Sequence, residues 1–240
     1  MTKRYWLILI SFIIMQLATS VTAALLVFFG FSGTFDELIG TTVLITFTLG
    51  FFVILFLTLK TEPDLEFSRD KASGSETVLW SILGIFMAFG AQILANFINI
   101  YVLGIEPGSE NTQDIVGWAN AVPLMMIVVA IFVPIMEEIV FRMVIFGSLF
   151  KRYGFWIAAL LSGLIFAVVH MDFKNLIVYL AMGIVFAFLY VKTKRIIVPI
   201  MAHVGINSFV MIVQVVFGED IQRLIDEMDN IQAIIGGLFL

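Results

Sequence analysis

The segment PIMEEIVFRMVIFG, Pro134 to Gly147, sets Glu137, Glu138 and Arg142 inside an otherwise apolar run. A charged side chain at bilayer depth is costly, so it faces the interior of a helix bundle and takes a partner there. On a helix, Glu138 and Arg142 are four residues apart, share a face and stand in the favourable acid-first order. Glu137 points about 100° away from Glu138 and is less well placed to reach the arginine. One carboxylate is thus neutralised while its neighbour stays available, and a desolvated carboxylate suits general-base chemistry on water. A purely structural account, a buried ion pair pinning two helices, covers Glu138 and Arg142 but leaves Glu137 without a purpose. Pro134 deprives a carbonyl one turn earlier of its amide partner and bends the helix there.

The chain has 2 histidines, and both fall at span positions. LIFAVVHMDF places His170 four residues after Phe166, and PIMAHVGINSFV places His203 and Asn207 four apart on one helical face. A single histidine in a span is often a helix–helix hydrogen-bonding group. Two histidines, two acids and an asparagine on three spans point instead to a shared polar site. Counted from the basic end at Lys151, Glu137 stands roughly 21 Å up its helix, and His170 stands roughly 22 Å above Phe155. His203 reaches only roughly 12 Å above Arg195 if that segment is helical throughout. Pro199 suggests that residues 195–198 enter extended, which would lift His203 to roughly 19 Å.

The elements that must position these residues are membrane helices. The 240 residues are 61% hydrophobic and 13% charged, with a mean hydropathy of +1.10. Several apolar runs approach the roughly 20 residues that cross a bilayer, and they lack the alternation of barrel strands. The expected fold is all-α, a polytopic transmembrane bundle of seven spans near 5–31, 41–59, 78–102, 120–150, 155–171, 175–191 and 196–217, with an eighth segment open at the C-terminus. The first run begins like a signal peptide, with Lys3 and Arg4 ahead of it, but continues to Phe31, so it reads as an uncleaved span. There are no cysteines, which excludes disulfides and thiol nucleophiles. No internal repeat and no phosphate-cradling loop is present, and no nucleic-acid partner is expected.

With these spans, Lys3, Arg4, Lys60, Arg69, Lys71, Lys151, Arg152, Lys192, Lys194 and Arg195 gather on one side, leaving Lys174 and Arg223 opposite and Arg142 within a span. The positive-inside rule puts that side, and the N-terminus, in the cytoplasm. Residues 1–119 then hold three spans, 120–217 hold the polar site, and 218–240 form an amphipathic tail with Ile221, Leu224, Ile225 and Met228 on one face, lying along the outer surface. In the third span, Gly84 and Ala88 have small-xxx-small spacing, and Gln92, Asn96 and Asn99 share a face. Helix packing is the simpler account of both.

The three motifs, EEIVFR, FAVVH and HVGIN, resemble the EExxxR, FxxxH and HxxxN pattern of the CAAX protease and bacteriocin-processing (Abi) family of intramembrane proteases, kin to the type II CAAX prenyl endopeptidase. The resemblance spans about 120–217, and every motif position matches. It implies an endopeptidase acting on a membrane-associated peptide or protein. By carry-over, Glu137 is the general base, assisted by His170; His203 and Asn207 stabilise the tetrahedral intermediate; Glu138, Arg142 and Phe166 support the site. The resemblance favours a metal-free glutamate mechanism with no cofactor. A zinc-dependent version remains open, since one Glu and two His are ordinary zinc ligands. So do a non-proteolytic immunity or regulatory scaffold of the same family and, more distantly, an ion-coupled transporter using buried Glu and His. The expected location is a bacterial plasma membrane, multi-pass, and the oligomeric state is left open.

Overall fold

The structure, a computed structural model, describes residues 2–61, 70–106 and 108–238; for 219, 221, 222 and 224–238 it describes the backbone alone. Arg69 and the tail positions Ile221, Leu224, Ile225 and Met228 therefore fall, wholly or by their side chains, outside the described residues.

Three long apolar helices open the chain, each started by a hydroxyl side chain. Thr2 caps α1 (Lys3–Phe28) by accepting from the Tyr5 amide. Thr34 and Glu37 form a reciprocal capping box on α2 (Phe35–Leu59), and Ser73 and Glu76 do the same for α3 (Gly74–Phe97), which widens into a π turn over Ile98–Val102. The polar stretch after it, expected to be a loop, folds into a short helix, α4 (Glu110–Ala121), capped by Ser109. Its low apolar content keeps it out of the set of membrane-crossing helices.

The fourth span starts at Met125 rather than near 120, because Val122 leaves the helical region and closes α4. This rod, α5 (125–153), alternates α and π geometry: π over Val128–Phe132, α over Val133–Glu137, π again over Glu138–Phe146. Gly154, with φ 72°, breaks it from α6 (155–169). A tight turn with a single helical twist at Phe173–Asn175 leads to α7 (Leu176–Thr193), which Lys194 ends in a left-handed conformation. The last helix, α8 (Ile197–Leu238), is uninterrupted, so the backbone of the tail continues the seventh span. Among the described residues, five helices are long and apolar enough to cross a membrane. With the kinked pair α5 and α6 they complete an all-α membrane bundle of seven spans.

The expected extended entry at 195–198 is not what forms. Helix α8 begins at Ile197, and Pro199 sits in its first turn, where a missing N–H costs nothing. His203 gains its depth in another way. The α7–α8 turn is sunk into the bundle: Thr193 is fully buried, its carbonyl accepts from Ala72 N–H (3.0 Å), and Arg195 Nε donates to the Ala72 carbonyl (2.6 Å). The 70–73 connector thus folds over the turn, and α8 starts from a recessed level.

Small residues let the helices that carry the site approach closely. Gly84 lies against Leu189 and Ala202, and Ala88 is fully buried, as the spacing in the third span suggests. Between α6 and α7 the contact is backbone to backbone: a Cβ on Gly183 would stand 2.8 Å from the Cα of Gly163. Backbone cannot rotate aside as a flexible side chain can, so Gly183→Ala should force the two helices apart. The expected cost is about 1–3 kcal/mol, read as a lower thermal midpoint in detergent. An unchanged midpoint would show that the crossing has slack.

Candidate active site

Glu138, Arg142 and His203 form the most buried part of the site. Their exposures are 0%, 1% and 5%. Glu138 Oε1 lies 2.9 Å from His203 Nδ1, and Oε2 lies 3.2 Å from Arg142 Nε. The second contact is an ion pair without an aligned hydrogen bond, and no nitrogen of the Arg142 guanidinium finds a hydrogen-bond partner among the described residues. Aromatic faces surround it instead: its Cζ stands 4.4 Å from the centre of the Phe166 ring, 5.3 Å from Phe186 and 6.0 Å from Phe141. A weakly hydrated guanidinium gains from ring faces where a desolvated site offers no water. Phe186 also stacks on the His203 ring (4.7 Å, 22°), so one side chain on α7 touches both the cation and the imidazole.

Glu137 is also buried, but faces the other way. Its Oε1 lies 3.7 Å from His170 Nε2, and its Oε2 lies 3.7 Å from His203 Nε2. The structure therefore brings Glu137, Glu138, His170 and His203 from α5, α6 and α8 into one cluster, as their types and order imply. The tautomers follow from the partners of the far nitrogens. His170 Nδ1 meets the Phe166 carbonyl at 2.8 Å, and a carbonyl only accepts, so Nδ1 bears the hydrogen. His203 Nδ1 meets a carboxylate already facing an arginine, so it donates as well. In their neutral forms both imidazoles present the bare Nε2 to Glu137.

The FxxxH spacing has a plain physical content. Phe166 supplies the carbonyl that orients His170, a ring edge against the imidazole (4.5 Å, 65°), and a face for Arg142. A residue that the sequence did not single out completes the clamp: Tyr179 stacks on His170 (4.1 Å, 27°), and Asn111 Nδ2 donates to its hydroxyl (3.2 Å). Neither Tyr179 nor Phe186 stands out in an apolar run rich in aromatics, since only the packing of α7 shows which of them face the site.

Asn207 sits at the edge of the cluster and answers the defect made by Pro134. The amide of Val133 bonds to the Val128 carbonyl in π register, so the next such bond would join position 134 to Val129. Proline has no N–H to give, and Asn207 Nδ2 donates to Val129 O at 3.5 Å. The contact ties the Asn207 amide on α8 to the backbone of α5. As to a metal, among the described residues no group of three His, Cys, Asp or Glu side chains is placed to hold one.

A family model described as "Type II CAAX prenyl endopeptidase Rce1-like" matches residues 119–209, the stretch that carries every residue of the cluster. The chain is 43% identical to the "Putative membrane peptidase YdiL" of Bacillus subtilis (strain 168), over 100% of both chains. It is 32% identical to the "Membrane-embedded CAAX protease MroQ" of Staphylococcus aureus (strain USA300), over 80% of each. No solved structure matches.

Because Arg142 balances a fully buried carboxylate, its removal leaves Glu138 without that counter-charge. Arg142→Ala should lower stability by about 3–5 kcal/mol, seen as a large drop in the thermal midpoint of the detergent-solubilised protein. Wild-type stability in that variant would contradict the pairing.

Proposed function

The chain belongs to the Type II CAAX prenyl endopeptidase Rce1-like family of membrane peptidases, and within it we propose that this protein hydrolyses a peptide bond with a water activated by Glu137 and His170. One observation carries the reading: two imidazole Nε2 atoms, each with its other nitrogen already engaged, stand 3.7 Å from separate oxygens of one buried carboxylate. Facing acceptors at that separation are bridged by a single water at roughly 2.8 Å from each. Between Glu137 Oε1 and His170 Nε2, such a water donates both hydrogens and turns its lone pairs outward.

The step then follows. The water oxygen bonds to the scissile carbonyl carbon as its proton passes to Glu137, and the carbonyl oxygen becomes an oxyanion. Asn207 donates to that oxyanion with its second amide hydrogen. His203 has its Nδ1 hydrogen held by Glu138, so it joins Asn207 as a donor only after its bare Nε2 takes up a proton from solvent, with Glu138 as counter-charge, and it gives that proton back to solvent when the products leave. Fixed donors aimed at a developing oxyanion are among the strongest catalytic contributions in a site shielded from water. Glu137 then returns the proton to the departing amine nitrogen, the C–N bond breaks, and a carboxylic acid and an amine are released. Glu138 and Arg142 touch neither water nor substrate; they position His203. We assign no metal to the step; the zinc-dependent version, with Glu137, His170 and His203 as the donor set, is what the chelation experiment below separates from it.

The substrate is read as a membrane-associated peptide or protein, and the location as a bacterial plasma membrane with the N-terminus in the cytoplasm. A protein that only scaffolds other membrane proteins has no use for the Glu137 carboxylate, which touches no other helix's charge except the two imidazoles.

Glu137→Gln and His170→Ala should each abolish cleavage of membrane peptides while the protein still inserts and purifies; wild-type turnover by either removes the water-activating pair. Asn207→Ala should lower kcat by about 10²–10³ with little change in KM. The purified wild-type enzyme should stay active after extended chelation, with no stoichiometric metal by elemental analysis. One zinc per chain, with activity lost on chelation and restored by Zn²⁺, would replace the glutamate mechanism with a metal one.

A further inference from the structure

The two ends of the bundle carry opposite charge, and the site lies at the acidic one. Around the basic end, Lys71, Lys192, Lys194 and Arg195 come together: Ala72 and Arg195 are hydrogen-bonded, Lys194 lies 3.7 Å from Asp70, and the Lys192 amine stands 5.4 Å over Trp80. Lys151 and Arg152, in the last turn of α5, lie towards the same end. At the far end the chain places Asp36, Glu37, Glu106, Glu110, Asp114 and Asp172. The bases on that side are paired with acids: Lys174 is exposed and lies 2.7 Å from Glu110, and Arg223 lies 3.9 Å from Asp220.

His170 is the residue that ends α6 at this acidic face, roughly 22 Å above Phe155 in a hydrocarbon core of about 30 Å. Its neighbour Met171 is 71% exposed. The turn that follows is tied to the start of α4 by polar bonds that belong to a water-facing surface: Ser109 to Asp172 (2.8 Å), Asn175 to the Gly108 carbonyl (3.0 Å) and Asn111 to Tyr179 (3.2 Å). From Tyr179 the contact passes directly to the His170 ring. Among the described residues the basic end shows no such route, since the 70–73 connector covers the α7–α8 turn and Thr193 beneath it is fully buried.

We propose that water and substrate enter from the acidic face. Because clustered Lys and Arg mark the cytoplasmic side, that face is the outer one. The substrate class that follows is a peptide segment already translocated: an exported peptide, or the outward tail or loop of a membrane protein, cut in the outer half of the bilayer. This rests on the protease reading above.

The absence of cysteine makes the test direct. In the full chain, Met171→Cys marks the mouth, Gln113→Cys marks α4, and Ser75→Cys marks the opposite end. A membrane-impermeant maleimide applied to intact cells should label the first two, and Ser75→Cys only after permeabilisation. The reverse pattern overturns the proposal, and Gln113→Cys keeps the result readable if Met171→Cys fails to fold. In sealed vesicles with the outer face outward, a randomised pool of single-pass reporter peptides should be cut on the outer side only. Cleavage confined to the inner side overturns the proposal. Equal cleavage by wild type and Glu137→Gln would overturn the protease reading instead, and labelling would still decide the side.

Discussion

Three ionisable groups are buried against one another, and the rest of the structure is arranged around that fact. The Glu138 carboxylate lies between the Arg142 guanidinium and the His203 imidazole, with Phe141, Phe166 and Phe186 closing around the cation. A buried charge that loses its partner costs several kcal/mol, so the helices that bring these groups together cannot slide apart independently. Helix α5 supplies the ion pair, α8 the imidazole, and α6 and α7 the rings. Glu137, one residue along from Glu138, is then held facing the opposite way, where the two Nε2 atoms meet it. The carboxylate paired with arginine and the one that meets both Nε2 atoms are thus consecutive residues with different contacts.

The irregular geometry of α5 belongs to the same arrangement. Wide π turns flank the segment Val133–Glu137, and such turns commonly mark functional sites because they free backbone groups from the regular ladder. Here the freed group is the Val129 carbonyl, stranded by the proline at 134 and met by Asn207. The bond orients the amide, so a backbone irregularity on one helix sets the direction of a side chain on another. Helix α4 adds a polar cover at the acidic end, and its link through Asn111 and Tyr179 reaches the His170 ring.

Much of this was legible in the residues. Charges inside apolar runs are costly enough to declare themselves, and the spacing of Glu138 and Arg142, or of Phe166 and His170, survives in the structure as a contact. The pairing of small residues at Gly84 and Ala88 was legible for the same reason, since only close packing explains it. What could not be read depends on packing between distant segments. The depth of His203 comes from the recess of the α7–α8 turn beneath residues 70–73, a long-range contact with no local signature, whereas Pro199 invited a different solution. The helix at Glu110–Ala121 was missed because a polar stretch between spans has no apolar period, yet Ser109 and its capping bond were there to suggest it. Tyr179 and Phe186 were hidden among many aromatics, since nothing in their spacing separates those that line the site from the rest.

The central claim is that Glu138 fixes the His203 ring so that its Nε2 faces Glu137, matched by His170 across the carboxylate. With only 2 histidines in the chain, ¹⁵N spectra of histidine-labelled protein report both rings, and a His170→Gln sample assigns them. The expected result is a His203 signal with Nδ1 protonated and hydrogen-bonded, which changes in Glu138→Ala while the His170 signal keeps its Nδ1–H form. A neutral His203 carrying its hydrogen on Nε2, unaffected by loss of Glu138, would contradict it.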